Sequence, residues 1–259
     1  MLLAGFMRPP GRRVTTMPLW SALRRRQVTP EVMDQPDLHP DEHVRALRGL
    51  TRINRWSGSA GILWPTLRDL ARSAGPGGIR VLDVATGAGD VPLRLWRKAR
   101  RAGLPMSVAG CDVSPMAIRA AKERAATLKG DVNFFRLDLF ADPLPTDFDA
   151  ITCSLFLHHL DEVHAVDMLR RLAAAARRVV LISDLARSPL GYALAWGGTR
   201  LFSRSHVVHT DGPHSVRAAF TPSEAVALAW QAGLTGATVE RRWPCRFLLA
   251  WARPAAEPA

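Results

Sequence analysis

Short apolar runs, separated by stretches with helical spacing, extend over most of this 259-residue chain. Five such runs precede residue 184, at 79–85, 107–111, 132–137, 148–157 and 178–183. Short apolar runs bounded by turn residues are typical of buried strands, and strands that alternate with helices are typical of a parallel sheet. Two further runs close together, 238–242 and 247–251, predict a final antiparallel hairpin. The pattern therefore predicts an α/β fold.

Upstream of the first strand, the spacing of apolar residues predicts helices. Residues 41–54 place apolar residues three apart, and 59–74 form a second helical pattern that ends before glycine- and proline-rich residues. Residues 19–26 predict a short amphipathic helix whose terminal arginines lie in solvent. We divide the chain into a disordered or peripheral segment (1–30), a helical extension (31–78) and an α/β domain (79–259).

One long stretch interrupts the alternation of strands and helices. Residues 185–220 contain Gly197-Gly198 and three histidines, and we expect them to form an irregular insertion. A long loop in a compact domain is more often functional than accidental. A helix start follows it directly, with Thr221 as cap, Pro222 at the first position and Glu224 completing a capping box.

Composition bears on partners and compartment. The 35 basic and 23 acidic residues give a net charge of +12, which raises nucleic acid or an anionic membrane as partners. Only three of the basic residues are lysines and the arginines are spread along the chain, which indicates a compositional bias rather than a binding surface. We therefore expect no nucleic-acid partner, and we expect a monomer or homodimer.

The three cysteines, Cys111, Cys153 and Cys245, have no C-x-x-C spacing and are odd in number. This argues against a disulfide framework or a zinc ribbon. Cys111 and Cys153 fall at the ends of predicted strands, so we expect buried free thiols and a reducing cytoplasm. No apolar run approaches the length of a transmembrane helix.

The most informative stretch is VLDVATGAGDVP, residues 81–92. It reads as a strand, a glycine-rich turn and a helix, in which the glycines let the backbone turn and a ligand approach. A dinucleotide site favours G-x-G-x-x-G, but Pro92 stands at the third glycine position and Asp90 would face the pyrophosphate. A cationic, phosphate-free ligand suits Asp83 and Asp90 better.

This segment resembles motif I of the class I S-adenosylmethionine (SAM)-dependent methyltransferases, in the form D-x-A-x-G-x-G-D of the ubiquinone/menaquinone methyltransferase branch. Motif I usually has a glycine where Ala85 stands. The resemblance covers about 79–254. It implies a Rossmann-like, seven-stranded, mostly parallel sheet with helices on both faces and the last strand antiparallel. It also implies SAM as cofactor, with S-adenosylhomocysteine as product, a helical extension that covers the site, and substrate specificity set by the insertion.

Acidic residues after the next two strands extend the motif. Asp112 lies a little over 20 residues beyond the glycine turn, where an acid accepts hydrogen bonds from ribose hydroxyls. By resemblance, Asp138 binds the adenine amino nitrogen and the backbone of Leu139 lies beside the ring. The predicted cofactor-binding residues are Asp83, Ala85, Thr86, Gly87, Gly89, Asp90, Asp112, Val113, Asp138, Leu139, Ser154 and Leu155.

Methyl transfer to a phenol requires that the acceptor lose a proton, and histidine is the usual base near neutral pH. The candidate general bases are His158, His206 and His209, and the candidate substrate residues are Arg55, Trp56, His159 and His214. The spacing of the three insertion histidines allows a metal site. Because no carboxylate set or thiol pattern accompanies them, we predict no metal.

The leading hypothesis is a SAM-dependent methyltransferase that acts on the oxygen of a small, aromatic or polyketide-like acceptor. C-methylation of a quinol or polyketide precursor stays open, as do RNA or protein methylation, a non-catalytic SAM-binding role and a dinucleotide oxidoreductase. Nucleic-acid amino methyltransferases carry an (Asn/Asp)-Pro-Pro-aromatic tetrad after the fourth strand. The sequence there is LFLHHLDE, residues 155–162, which counts against base N-methylation.

Overall fold

The computed structural model describes residues 23–29, 31–32, 39, 42, 45–46, 49 and 58–254. Seven helices lie in this part of the chain: α1 (Ser59–Ser73), α2 (Asp90–Arg101), α3 (Pro115–Leu128), α4 (Glu162–Ala175), α5 (Pro189–Phe202), α6 (His206–Ala218) and α7 (Pro222–Gln231). The strands are β1 (Ile79–Val84), β2 (Met106–Asp112), β3 (Val132–Arg136), β4 (Ala150–Ser154), β5 (Val179–Leu185), β6 (Thr238–Arg242) and β7 (Arg246–Ala252).

The strands form one seven-stranded sheet in the order β3-β2-β1-β4-β5-β7-β6. Strands β1 to β5 are parallel, and β7 runs antiparallel to both β5 and β6. The predicted α/β class, the strand count and the antiparallel last strand are confirmed. The order reverses at β1, where β2 lies on one side and β4 on the other, and this is the place where open α/β sheets bind ligands.

Successive residues of β1 point to opposite faces of the sheet, so one strand contributes to two cores. Val81 packs with Leu63 of α1 and Leu95 of α2 in one cluster. Leu82 packs in the other cluster, with Leu169 of α4. This near-continuous burial matches the apolar runs in the sequence, because a parallel sheet is covered by helices on both faces.

Helix starts follow their local sequence signals. The Ser114 side chain accepts a hydrogen bond from the backbone N–H of Ala117, and Pro115 takes the first position of α3. Thr221 and Glu224 form the predicted capping box of α7. A cap of this kind contributes about 1 kcal/mol to stability.

The expectation that 185–220 is irregular is wrong, since α5 and α6 occupy most of it. Ser188 caps α5 by accepting from the backbone N–H of Gly191. Gly197-Gly198 and Pro213 lie inside the two helices. These residues disfavour an isolated helix, but packing of α5 against α6 and burial of residues such as Val208 and Val216 outweigh that preference.

We expect Gly212→Ala to destabilise the protein and Gly197→Ala to stabilise it. A Cβ on Gly212 of α6 would lie 2.4 Å from Cγ2 of the buried Thr199 of α5. Overpacking of this kind costs about 1–3 kcal/mol. At Gly197 no atom of the described chain lies within 4 Å of the added Cβ, so the helical gain of about 0.5–1 kcal/mol remains. Urea unfolding of both variants measures the difference, and equal midpoints would contradict close α5–α6 packing.

The N-terminal segment 23–29 packs against the α/β domain. Leu23–Arg26 form a turn and bends rather than the predicted helix, and Leu23 is buried. The Arg26 guanidinium does not lie in solvent as expected, because it donates to backbone carbonyls and stacks over the Phe220 ring. Of the predicted helix 41–54, the described residues 42, 45–46 and 49 are helical, and the rest lies outside the described residues.

Two predictions about composition can be compared with the structure. Cys111 and Cys153 are free and buried, as expected, and burial raises the pKa of the Cys111 thiol to about 12. None of the helices in the described part of the chain combines the length and the apolar character that a bilayer span requires.

Candidate functional site

The candidate site lies at the carboxyl edge of the sheet, where β1, β2 and β4 end side by side. The chain leaves β1 through a sharp turn with positive φ at Ala85 (52°), Gly87 (55°) and Gly89 (75°). A non-glycine residue in this region costs roughly 1–2 kcal/mol, which explains why glycine is usual at the position of Ala85. At Gly89 a Cβ would lie 2.6 Å from the Phe134 ring, so the turn also needs glycine for close packing.

Asp83, the carboxylate before this turn, is fully buried and engaged by two hydroxyl groups. Thr86 Oγ1 and Thr152 Oγ1 donate to it at 2.8 and 2.6 Å, which ties the turn to β4. Burial raises its pKa to about 7 although both hydrogen bonds act in the opposite direction. Asp83 therefore anchors the turn, rather than lying open to a cationic ligand as the sequence analysis assumed.

Because the folded pKa of Asp83 lies above the unfolded value, folding is favoured at low pH and this contribution is lost as the pH rises from about 4 to about 7. Roughly three pKa units correspond to an upper limit of about 4 kcal/mol. We expect Asp83→Asn to remove this loss of stability between low and neutral pH. Denaturant unfolding of the two proteins at pH 5 and pH 8 measures it, and an unchanged difference between the two pH values would contradict the assignment.

Asp90, the second acid of the motif, is also engaged inside the protein. It is buried at the first turn of α2 and forms an ion pair with Arg124 of α3. Arg124 Nη1 also donates to the carbonyl of Ala88, at 3.0 Å. The pair fixes the glycine turn against α3, so Asp90 contacts an arginine where the sequence analysis expected a ligand cation.

Asp112 joins the glycine turn to the next helix. Its carboxylate accepts from the backbone N–H of Gly87 at 2.8 Å and of Ser114 at 2.9 Å. An ionised carboxylate has about four lone-pair sites, so capacity for ligand hydroxyls remains. Val113, the next residue, is half exposed.

Asp138 shapes the loop after β3. Its Oδ1 accepts from the backbone N–H groups of Phe140 and Ala141, and its own N–H donates to Asp142. Leu139, the next residue, is buried in the main core. The predicted cofactor residues of three strands thus share one edge of the sheet.

The chain also turns sharply after β4. Leu155 has φ 58°, and its N–H donates to the carbonyl of Ser183 in β5 at 3.0 Å. Positive φ at a bulky residue is strained, and such residues cluster at functional sites. The buried Ser154 Oγ has no hydrogen-bond partner among the described residues.

His158 and Asp184 form a buried pair beside this turn. His158 lies in the short 3-10 turn Leu157–His159, and Asp184 lies in β5. The distance from His158 Nδ1 to Asp184 Oδ1 is 2.6 Å, and the backbone N–H of His158 donates to the same carboxylate. A carboxylate on Nδ1 orients the ring and leaves Nε2 for other chemistry.

Arg26 and Glu31, which precede the α/β domain, approach the His158–Asp184 pair from the other side. Glu31 Oε1 lies 3.8 Å from His158 Nε2 and accepts from Ser215 Oγ of α6. Arg26 donates to the carbonyl oxygens of His158 and Leu160, which holds the segment over the 3-10 turn. His158 therefore has a carboxylate near each ring nitrogen.

These neighbours shift the pKa values of His158 and His159 in opposite directions. Burial lowers the pKa of His158, but Asp184 and, after it, Glu31 raise it, and the net shift is upward. Burial and the adjacent His158 lower the pKa of His159 to about 3, so its ring is neutral at physiological pH. The ring centroids of the two histidines are 4.3 Å apart.

The other candidate residues lie apart from this pair or outside the description. His206 is exposed at the start of α6, and His209 Nε2 lies 2.8 Å from the carbonyl oxygen of Ser203. His214 is half-buried on α6. Arg55 and Trp56 lie outside the described residues. Of the candidate bases, only His158 has a buried carboxylate partner among the described groups.

The comparison with protein families matches residues 81–178 to the model described as "Methyltransferase domain". The match begins in β1 and runs to the start of β5, so it contains the glycine turn, Asp112, Asp138 and His158. Residues 81–178 therefore resemble a methyltransferase domain.

Two curated proteins are among the relatives of these residues. Demethylmenaquinone methyltransferase of Thermus thermophilus is 34% identical over 116 residues, 44% of this chain and 50% of the relative. The 3-hydroxy-5-methyl-1-naphthoate 3-O-methyltransferase of Streptomyces sahachiroi is 32% identical over 185 residues, 70% of this chain and 47% of the relative. The chain thus spans about half the length of these curated relatives.

The apo structure of the SAM-dependent methyltransferase SibL is similar in fold, with a TM-score of 0.62 and 19% identity. The alignment covers 88% of this chain and 64% of that chain. The predicted class I SAM-dependent methyltransferase fold is confirmed. SibL is named as SAM-dependent, and neither the cofactor nor the methyl acceptor of this chain follows from that likeness in fold.

The residues of the methyltransferase domain fit SAM by their chemistry. A Cβ at Gly87 would meet no described atom within 4 Å, so the turn leaves room beside the Asp112 carboxylate. The hydroxyl donors of a ribose match the acceptors of Asp112, and the Ser154 hydroxyl offers a further polar group. Asp112, Asp138 and the backbone of the glycine turn are therefore the groups that would hold the cofactor.

Sequence reasoning missed Asp184, Glu31 and Arg26 as parts of the site. Asp184 could have been found, because it follows an apolar run directly and the ends of neighbouring parallel strands meet at one edge. Glu31 and Arg26 had no local signal. Arg26 and His158 are 132 residues apart in sequence, and only the fold brings them together.

Proposed function

We propose that this chain transfers a methyl group from SAM to an oxygen atom of a small aromatic or polyketide-like acceptor. The His158–Asp184 pair carries the proposal, since it lies at the same sheet edge as the cofactor residues. A buried imidazole oriented by a carboxylate is suited to accept a proton from a hydroxyl group.

When bound, SAM supplies an electrophilic methyl group on its sulfonium. Asp184 accepts a hydrogen bond from the Nδ1–H of His158, which fixes the tautomer with the lone pair on Nε2. Nε2 takes the proton of the acceptor hydroxyl, so the oxygen becomes nucleophilic. The remaining task of the protein is to align the two reactants and exclude water, and orientation alone contributes several kcal/mol.

The surroundings of His158 favour a flat, apolar acceptor. Its neighbour His159 is mostly neutral, and the Phe156 and His159 rings lie 6.0 Å apart at a tilt of 32°. Helix α6 packs against the 3-10 turn that carries both histidines. Aromatic surface of this kind stacks on planar rings. The Streptomyces relative is named as a naphthoate O-methyltransferase, which supports the same class of acceptor.

C-methylation of a quinol or polyketide precursor is the second candidate function. The demethylmenaquinone methyltransferase of Thermus thermophilus favours it, with 34% identity over 116 residues. The same imidazole would then take the proton of a ring hydroxyl or of the methylated carbon. O-demethylation releases a methyl group from oxygen but not from carbon, so this treatment of the product separates the two functions.

The test is transfer of labelled methyl from SAM to phenols, naphthols, quinols, polyketide aromatics and bulk RNA. We expect labelling of a small aromatic, with label released by O-demethylation. Label retained on carbon would favour the second candidate. Label on RNA alone, with a steep dependence on salt concentration, would overturn the proposal and make the net charge of +12 functional. SAM binding without labelling of any acceptor class would favour a non-catalytic SAM-binding protein.

A further inference from the structure

Three side chains with ligand atoms of the kind that bind transition metals meet at the proposed general base. They are Glu31, His158 and His159, and one ligand atom of each lies within 4.8 Å of the others. Glu31 and His158 are buried, and His159 is partly buried. In the part of the chain that the structure describes, this is the one such group of three, and the insertion histidines do not form another.

We infer that Glu31, His158 and His159 form a binding site for a divalent transition-metal ion of the zinc class. Two imidazoles and one carboxylate are a ligand set that binds Zn²⁺ with a fourth position open. From the sequence we predicted no metal, because no carboxylate set or thiol pattern accompanies the histidines of 206–214. The carboxylate comes instead from the N-terminal segment.

The distances suit a tetrahedral ion. Zinc bonds of about 2.0–2.2 Å place neighbouring ligand atoms roughly 3.3–3.5 Å apart. The distance from His158 Nε2 to Glu31 Oε1 is 3.8 Å, so this edge needs a change of a few tenths of an ångström. All three ligand atoms lie within 4.8 Å of one another, a separation that rotation of side chains can shorten.

The hydrogen bonds around the ligands support the same assignment. Asp184 holds His158 Nδ1 at 2.6 Å, which directs Nε2 toward Glu31. A carboxylate on the far nitrogen is the usual second partner of a metal-bound histidine. Ser215 Oγ holds Glu31 Oε1 from α6. Two of the three ligands are thus oriented by other groups.

Among the charged groups near the site, two carboxylates lie beside His158 and the two arginines are directed to other partners. Glu31 and Asp184 bring two carboxylates to the two sides of His158. Arg26 opposes a cation, but its guanidinium is directed to the carbonyl oxygens of His158 and Leu160 and to the Phe220 ring. Arg246 lies behind Asp184 and is directed to Ser59 Oγ and the carbonyl of Ser183.

Metal binding and the proposed proton transfer use the same lone pair on His158 Nε2. An ion bound there therefore blocks proton acceptance at that atom, and we expect Zn²⁺ to inhibit methyl transfer. The metal site itself does not depend on the proposed function, because its occupancy is measured on the full chain without SAM or acceptor.

The experiment is titration of the full chain with Co²⁺, followed by the visible absorption of the bound ion, and with Zn²⁺ by calorimetry. We expect one equivalent to bind, with the absorption strength of tetrahedral cobalt. Glu31→Gln and His159→Gln, which preserve side-chain size, should each weaken binding at least tenfold. Asp184→Asn should weaken it by about 10–100-fold. His164→Gln is the matched control, since His164 is an exposed histidine paired with Asp161.

Unchanged affinity in Glu31→Gln and His159→Gln would overturn the inference, as would equal loss in His164→Gln or binding of several weak equivalents. Circular dichroism of each variant excludes unfolding as the cause of lost binding. If cobalt binds as expected but no acceptor is methylated, the metal site stands and the proposed function fails. If methylation is found and cobalt does not bind, the reverse holds.

Discussion

Replacing His158 by glutamine lowers the rate of methyl transfer by about 10²–10⁴-fold, the usual contribution of a general base. The buried imidazole is the group that accepts the proton in the proposed reaction, and glutamine is of similar size without a basic nitrogen. Because His158 follows β4 and Asp112 is the last residue of β2, the two lie on different strands of the sheet, and binding of the cofactor should change little. Single-turnover transfer of labelled methyl and calorimetric binding of S-adenosylhomocysteine measure the two quantities.

Asp184→Asn tests the orientation of the His158 ring, whereas His158→Gln tests its basic nitrogen. An amide can donate to Nδ1 and stabilise the other tautomer, so the rate should fall although His158 is intact. His164→Gln controls for general effects of losing a histidine on the same side of the sheet. An equal or larger loss in His206→Gln than in His158→Gln would contradict the assignment of the base, because His206 is exposed and apart from the pair.

The fold was largely predictable because its signals are short in range. The apolar runs of β1 and β5 are buried on both faces, so their sequences need no alternation and are easily located. The capping box at Thr221 is likewise complete within four residues. Each of these signals is read from a window shorter than the element that it specifies.

Helices α5 and α6 were missed because their stabilising contacts are made with each other and, for Val207 and Val208, with Val32 and Ala46. Gly197-Gly198 and Pro213 weaken any helix considered alone. Yet Gly212 lets α6 approach Thr199 of α5 at a distance that a side chain would prevent. A residue that weakens local structure here permits close packing, and that effect cannot be read from spacing along one chain segment.

In the candidate site, too, the features with local signals were predictable and the contacts between distant segments were not. The predicted cofactor residues follow directly from strand ends, and Asp112 and Asp138 do lie at the sheet edge that their positions in the pattern indicate. Asp83 and Asp90 were placed at the right edge, but their partners were not predicted. Thr152 and Arg124 come from other elements, and they engage the charges that the sequence alone leaves open.

Replacing Asp112 by alanine should weaken binding of SAM by about a hundredfold or more. The carboxylate accepts from the backbone N–H of Gly87 and of Ser114, so it fixes the glycine turn relative to α3 before a ligand arrives. Hydrogen bonds to a charged group contribute about 1.5–3 kcal/mol each, and 2.7 kcal/mol corresponds to roughly a hundredfold in Kd. Loss of the ribose contacts would add to the effect.

Calorimetry with SAM and with S-adenosylhomocysteine measures this loss, with Asp131→Ala as the matched control. Asp131 is an exposed aspartate just before β3, so its removal should leave both affinities unchanged. Asp112→Ala also lowers the thermal midpoint, because two backbone N–H groups lose their acceptor. If the midpoint falls while both affinities stay at the level of the unmodified protein, Asp112 holds the turn without contacting the ligand, and the cofactor must be bound by the backbone of 85–89 and by Asp138 instead.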